Sequence, residues 1–205
     1  MLSSIFITLF LSLIAVKALP AESSTGFNGS WPAGVKRDLP IFEIDYDDYP
    51  QSAENICYSW YCNNGPRAVA PNRPAANQNR ASNSCGNVNP NRCSTRVGHD
   101  AGYQCDEWPW ANSNAGGANA VTRCIPSGDN GGSGASWGNF INNQGSQAPG
   151  FVLQDNVDFA EIRVTNIPFP DENIAHFCLG EHGVTITPGA CAQLDHGLPY
   201  LQQIG

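Results

Sequence analysis

Eight cysteines in 205 residues, at positions 57, 62, 85, 93, 105, 124, 178 and 191, constrain this chain more than any other feature. An even count suits closed disulfides and an oxidising compartment. The number of possible pairings is about a hundred, so spacing alone does not give the connectivity. Local spacing favours Cys105–Cys124 across a hairpin and Cys178–Cys191 near the C-terminus. Cys178, His182, Cys191 and His196 could instead hold zinc, but their spacing matches no zinc pattern well.

The N-terminus agrees with that compartment. Leu2–Val16 is an apolar run too short for a stable membrane span, and it ends near small residues. Residues 1–19 are expected to be a signal peptide. Residues 20–37 are expected to be a propeptide ending at the dibasic Lys36-Arg37, and this segment carries the Asn28-Gly29-Ser30 sequon. No other stretch approaches the roughly 20 apolar residues a bilayer requires. The expected organisation is then a domain over 38–167 and a cysteine-bearing extension over 168–205 packed on it, in a secreted, extracellular monomer with no membrane association.

The formal net charge is −8, and removing residues 1–37 takes away three bases and one acid, leaving −10. A uniformly basic nucleic-acid binder is excluded. The charge is uneven, however. Residues 67–123 hold Arg67, Arg73, Arg80, Arg92, Arg96 and Arg123 against Asp100, Asp106 and Glu107. A local arginine field can meet phosphates while the whole molecule stays acidic.

Alternation of apolar and acidic residues predicts a strand over 39–46, at an edge or half buried. Apolar positions at Ala53, Ile56 and Trp60 predict a short helix over 50–62, and another is expected near 75–82. Tyr103–Asp106 and Ala120–Ile125 read as strands. Between Pro126 and Ser136 the Gly/Ser-rich run reads as a polar turn, followed by a helix from Trp137. Phe151–Leu153 and Ala160–Thr165 read as further strands. The expected class is α+β, a small disulfide-stapled domain with an antiparallel sheet.

Asp106 and Glu107 stand beside Trp108-Pro109-Trp110. A carboxylate is costly to bury unpaired, so a cation or a tuned proton role is expected there. Neighbouring residues of a regular strand face opposite sides, so both carboxylates share one site only if the strand ends or bulges at that point. Asp129-Asn130, after the second strand, can bring an oxygen to the same place. Carboxylate and amide oxygens are the hard ligands preferred by Mg²⁺ or Mn²⁺.

These pieces together resemble the NucA/NucB-type extracellular deoxyribonucleases. The Cys105-Asp106-Glu107-Trp108-Pro109 block, Gly116-Gly117, the strand Val121–Ile125, and Ser127-Gly128-Asp129-Asn130-Gly131 through Asn139 occur in the family's order. The resemblance covers roughly residues 40–165. It implies a ββα-metal nuclease-like unit that uses one divalent cation, Mg²⁺ or Mn²⁺, to cut DNA through contacts with the phosphate backbone. Many ββα nucleases use a histidine base. The Asp106–Trp110 segment has none, so a carboxylate must replace it. The residues expected to carry the chemistry are Asp106, Glu107 and Arg123, the arginine facing phosphate. Asp106 and Asn130 are the expected metal ligands, with Asn139 the rival if the helix supplies one. His99 could position phosphate, although a loop histidine is the better reading, and Trp108, Trp110 and Trp137 could stack on bases, although packing around a small core is the better reading for all three. Two other functions compete: a non-catalytic secreted binding module or effector on the same scaffold, and a ribonuclease of similar chemistry.

Overall fold

The computed structural model describes residues 39–143, 152–169, 176–192 and 203–204. The expected signal peptide, propeptide, dibasic site and sequon lie outside the described residues.

The fold is a mixed α+β domain built around one helix. β1 (Ile41–Asp45) leads through a turn into α1 (Pro50–Cys62), which Pro50 opens at its first position. Every residue of α1 from Ser52 to Trp60 is buried. The helix is therefore enclosed on all sides, and its buried polar residues must find partners. Tyr46 donates to Glu54 Oε1 at 3.0 Å, and the backbone N–H groups of His176 and Phe177 donate to the same carboxylate at 2.9 and 2.8 Å.

β2 (Ala68–Val69), α2 (Ala76–Ser82), β3 (Tyr103–Trp108) and β4 (Val121–Pro126) follow, then α3 (Ser127–Ile141), β5 (Ala160–Thr165), α4 (Pro188–Ala192) and β6 (Gln203–Ile204). One sheet has the order β1-β5-β2, with β1 parallel to β5 and β2 antiparallel to it. The second sheet, β3-β4-β6, is antiparallel throughout. β3 is therefore an edge strand of its sheet. An aromatic cluster of Phe42, Trp110, Trp137 and Phe140 joins the first sheet to α3, with the Trp110 and Trp137 rings stacked 4.7 Å apart.

Two expectations about elements fail. The Gly/Ser-rich run after Pro126 is the first half of α3, not a turn, although five of its fifteen residues are glycine. Each glycine costs about 1 kcal/mol relative to alanine in a helix. Burial of Ser133, Trp137, Phe140 and Ile141 on one face outweighs that local preference. Gly132 is required by packing, because a Cβ there would lie 2.4 Å from the Tyr49 ring. The strand expected at Phe151–Leu153 is irregular over its described residues, 152 and 153.

The disulfides are Cys57–Cys178, Cys62–Cys191, Cys85–Cys105 and Cys93–Cys124. Neither locally expected pair forms. Cys105 and Cys124 do stand opposite each other in the β3–β4 register, but each bonds a cysteine of the 83–98 segment, which is thereby stapled side by side onto one face of the hairpin. Cys178 and Cys191 likewise bond separate positions of α1, which fastens the 176–192 segment to the central helix. No free cysteine is found among the described residues, so zinc has no thiolate there. No described helix is long and apolar enough to cross a membrane.

Candidate active site

The β3–β4 hairpin has two chemically different faces. Toward α1 it presents Asp106, Trp108 and Arg123, and toward the 83–98 segment it presents Cys105, Glu107, Thr122 and Cys124. The partners follow this division. Asn55 of α1 donates to Asp106 Oδ2 at 3.0 Å, and Trp60 of α1 packs edge-on against Trp108. On the other face Asn83 donates to Glu107 Oε2, and Ser84 bonds Thr122.

Asp106 and Glu107 therefore leave β3 on opposite sides. The strand neither ends nor bulges between them, since the register to β4 runs unbroken from Tyr103 to Trp108. Both still border one pocket of about 380 Å³. It lies along the open edge of β3, where the two faces of an edge strand meet. α2 supplies one wall with Ala76 and Arg80, and α3 supplies the other with Asn130, Gly131, Gly134 and Trp137. β3, β4 and α3 thus succeed one another as strand, strand and helix around the pocket.

Asp106 is 4% exposed, and burial pushes its carboxyl up to about 7. The Asn55 hydrogen bond opposes that shift, and the charge of Asp129 adds to it. Glu107 is also held above the usual carboxylate range by burial, against the pull of Asn83 and Arg80. Arg80 Nε stands 3.5 Å from Glu107 Oε1.

Asp129 and Asn130 occupy the first turn of α3 and point in different directions. Asp129 accepts the N–H groups of Gln51 and Ser52 at 2.8 and 3.2 Å, so it caps α1 from another helix. Asn130 faces the pocket, and its Nδ2 donates to Gln104 Oε1 at 3.1 Å. Its carbonyl oxygen is then the atom suited to a cation.

Asn139 does not share this place. It is exposed and does not line the pocket, because nine residues along an α-helix turn a side chain half a revolution from Asn130. Arg123 departs further from expectation. It is opposite Asp106 in the register but completely buried, with Nη2 bonded to Gln51 Oε1. Burial lowers its pKa to about 10, and the charges of Glu54, Asp106 and Asp129 pull it back up. No substrate phosphate can reach it there, and its charge acts from beneath the site. His99 lies on the opposite, disulfide-bearing face, with Nε2 3.9 Å from Cys124 Sγ. Trp108, Trp110 and Trp137 are all at most 7% exposed and act in packing.

Among the described residues no three His, Cys, Asp or Glu side chains converge as a ready-made metal cage. The pocket nevertheless fits a small hard cation. Mg²⁺ keeps several waters and binds through one or two carboxylates plus substrate oxygens. Asp106, Glu107 and Asn130 supply oxygen donors of that kind around an open pocket. Sequence reasoning missed Asn55, Asn83 and Gln51, which hold the charged groups in place. Ser52, Glu54 and Asn55 inside an otherwise apolar helix were the available signal, since buried polar side chains there require partners.

No curated protein matches the chain. The family model of deoxyribonuclease NucA/NucB matches residues 56–150, a span that contains α2, the β3–β4 hairpin, α3 and every residue of the pocket. The matched span is 95 of the chain's 205 residues, and over it the chain is similar to the deoxyribonuclease NucA/NucB family.

Proposed function

We propose that this chain is a secreted, divalent-metal-dependent endonuclease that hydrolyses DNA phosphodiester bonds without reading base sequence. The observation that carries the reading is the convergence of Asp106, Glu107 and Asn130 on one pocket within the span that is similar to a deoxyribonuclease family. Four disulfides suit an oxidising compartment. Residues 1–19 would direct export, and residues 20–37 would be removed at Lys36-Arg37.

Asp106 serves as the proton acceptor. Its carboxylate borders the pocket, where a water can be placed against it, and Asn55 fixes its orientation. The water oxygen attacks phosphorus, the bond to the 3′ oxygen breaks, the leaving oxygen takes a proton from solvent while Asp106 later returns its own to solvent, and the products are a 5′-phosphate and a 3′-hydroxyl. Glu107, anchored by Asn83, and the Asn130 amide oxygen complete the donors that would hold Mg²⁺ or Mn²⁺ with Asp106. When bound, the ion supplies Lewis-acid stabilisation of the charge that develops on the phosphate. Contact with phosphates alone explains indifference to sequence.

Purified, oxidised protein should nick and linearise plasmid DNA with Mg²⁺ or Mn²⁺, lose activity in EDTA, and lose it in Asp106→Asn while staying folded. Intact plasmid across Mg²⁺, Mn²⁺ and Ca²⁺ overturns the reading. Faster cleavage of RNA than of DNA at equal metal replaces it with a ribonuclease. A glycan-binding module would present aromatic rings to solvent, and burial of Trp108, Trp110 and Trp137 argues against that alternative.

A further inference from the structure

We infer that Arg80 is the cation that docks a substrate phosphodiester in this pocket. The inference rests on the nuclease reading and assigns the role that Arg123, being buried, cannot fill.

Among the described residues Arg80 is the only basic one in the pocket lining, where it faces two carboxylates. Those three side chains leave the pocket with a net negative charge when all are ionised. A phosphodiester is also an anion, so its entry needs both the divalent cation and a positive side chain. Two other arginines of the chain's basic stretch are engaged elsewhere. Arg67 is paired with Glu181 at 2.7 Å and Arg73 with Asp155 at 2.6 Å. Arg80, by contrast, is 56% exposed, and its contact with Glu107 is 3.5 Å long. A charge-assisted N–H···O bond normally spans about 2.7–2.9 Å. The guanidinium is therefore not consumed by Glu107, and its fork can take two phosphate oxygens.

The backbone beneath it is fixed. Asn79 of α2 donates to the carbonyls of Ala111 and Ser113 at 2.7 and 3.1 Å. The Cys85–Cys105 disulfide ties the end of this segment to β3, beside Asp106. Gly86 packs so tightly that a Cβ would lie 2.3 Å from the Arg80 carbonyl oxygen. The helix bearing the cation is thus held in a constant relation to the strand bearing the carboxylates, as docking in register with them requires.

The test compares Arg80→Gln and Arg80→Lys with the wild type on plasmid DNA, over a range of salt and pH, at saturating Mg²⁺. Arg80→Gln should raise KM about tenfold and flatten the dependence of log kcat/KM on log salt by about one unit, because one phosphate contact is lost. Arg80→Lys should restore the salt slope and recover part of the KM, since it keeps the charge without the fork. The denaturation midpoints should match, because the side chain is exposed. A wild type that cleaves and an Arg80→Gln variant with the same KM and salt slope overturn the inference. So does an unchanged salt slope with only a shifted pH profile, which would mean Arg80 acts on Glu107 alone. A wild type that leaves DNA intact overturns the nuclease reading instead.

Discussion

Replacing Asp106 by asparagine should destroy cleavage and stabilise the metal-free protein at alkaline pH. The side chain is buried, with its carboxyl raised from 3.8 to about 7 by loss of hydration. The folded state therefore holds this proton more tightly than the unfolded state does. Its contribution is most favourable below about pH 4, declines as pH rises toward 7, and levels off above that. With these two values, linkage gives a loss of roughly 2.5 kcal/mol between pH 5 and pH 8. Asparagine has nearly the same shape, still accepts from Asn55, and has no charge to desolvate. Arg123 keeps Glu54 and Asp129 as counter-charges when Asp106 is neutralised. The assay is equilibrium denaturation in urea with disulfides intact, in EDTA, at pH 5 and pH 8. Glu107 and Asp129 also titrate above their usual range, and both repel the Asp106 carboxylate, so the difference between the two curves reports Asp106 together with its coupling to them. Asp106→Asn should lose less stability than the wild type across that interval, by about 2–3 kcal/mol. Saturating Mg²⁺ at pH 8 should stabilise the wild type and leave the variant unmoved. Parallel pH dependences in the two proteins, or a variant less stable than the wild type at pH 8, would refute the reasoning.

Other consequences follow from the same geometry. Gly128→Ala and Gly138→Ala should each stabilise the fold by about 0.5–1 kcal/mol with cleavage unchanged, since a Cβ at either site meets no atom within 4 Å and lies outside the pocket; Gly132→Ala should destabilise it instead, by collision with Tyr49, and urea midpoints distinguish these cases. Arg123→Ala should cost roughly 3–5 kcal/mol, because Glu54 and Asp129 lose their buried counter-charge; a loss below 1 kcal/mol on denaturation would contradict its assignment as a buried structural charge. Removing the Cys57–Cys178 bridge with a Cys57→Ala, Cys178→Ala pair should cost about 2–5 kcal/mol, measured the same way, because the bond closes a loop with a sequence separation of 121.

Those elements whose local pattern agreed with their packing were legible in the sequence. The alternation of Ile41–Asp45, the helical spacing in Pro50–Cys62 and the paired strands Tyr103–Trp108 and Val121–Pro126 are found where they were expected. The N-terminal half of α3 was hidden because its glycines favour a turn, and the burial that overrides them comes from Phe42, Trp110 and Tyr49, distant in sequence. The disulfides were hidden for a similar reason. Proximity in sequence favours small loops, but cysteines close in sequence here lie on one element and serve as two separate anchor points for a remote segment. Cys57 and Cys62 on α1 receive Cys178 and Cys191 in this way.

The site divides along the same line. Asp106 and Glu107 could be singled out because charge stands beside apolar and rigid residues, and that oddity survives without knowledge of the fold. Their relation to each other could not be read, because alternation along a strand says which faces two side chains take, not whether the strand has an open edge. β3 has one, and that edge is what lets carboxylates from opposite faces border a single pocket. Arg123 was misread for the converse reason. An arginine on a strand is expected to face water, but β4 lies between β3 and β6 with α1 over one face and the stapled 83–98 segment over the other, so no side of it is left for solvent. The cation that faces the pocket comes instead from α2, whose position depends on the Cys85–Cys105 bond that local spacing would have assigned otherwise. In this chain the covalent staples and the placement of charge are one problem: α1, held by its bonds to Cys178 and Cys191, covers the face that keeps Arg123 dry, and the 83–98 segment, through its first disulfide, sets Arg80 beside Glu107.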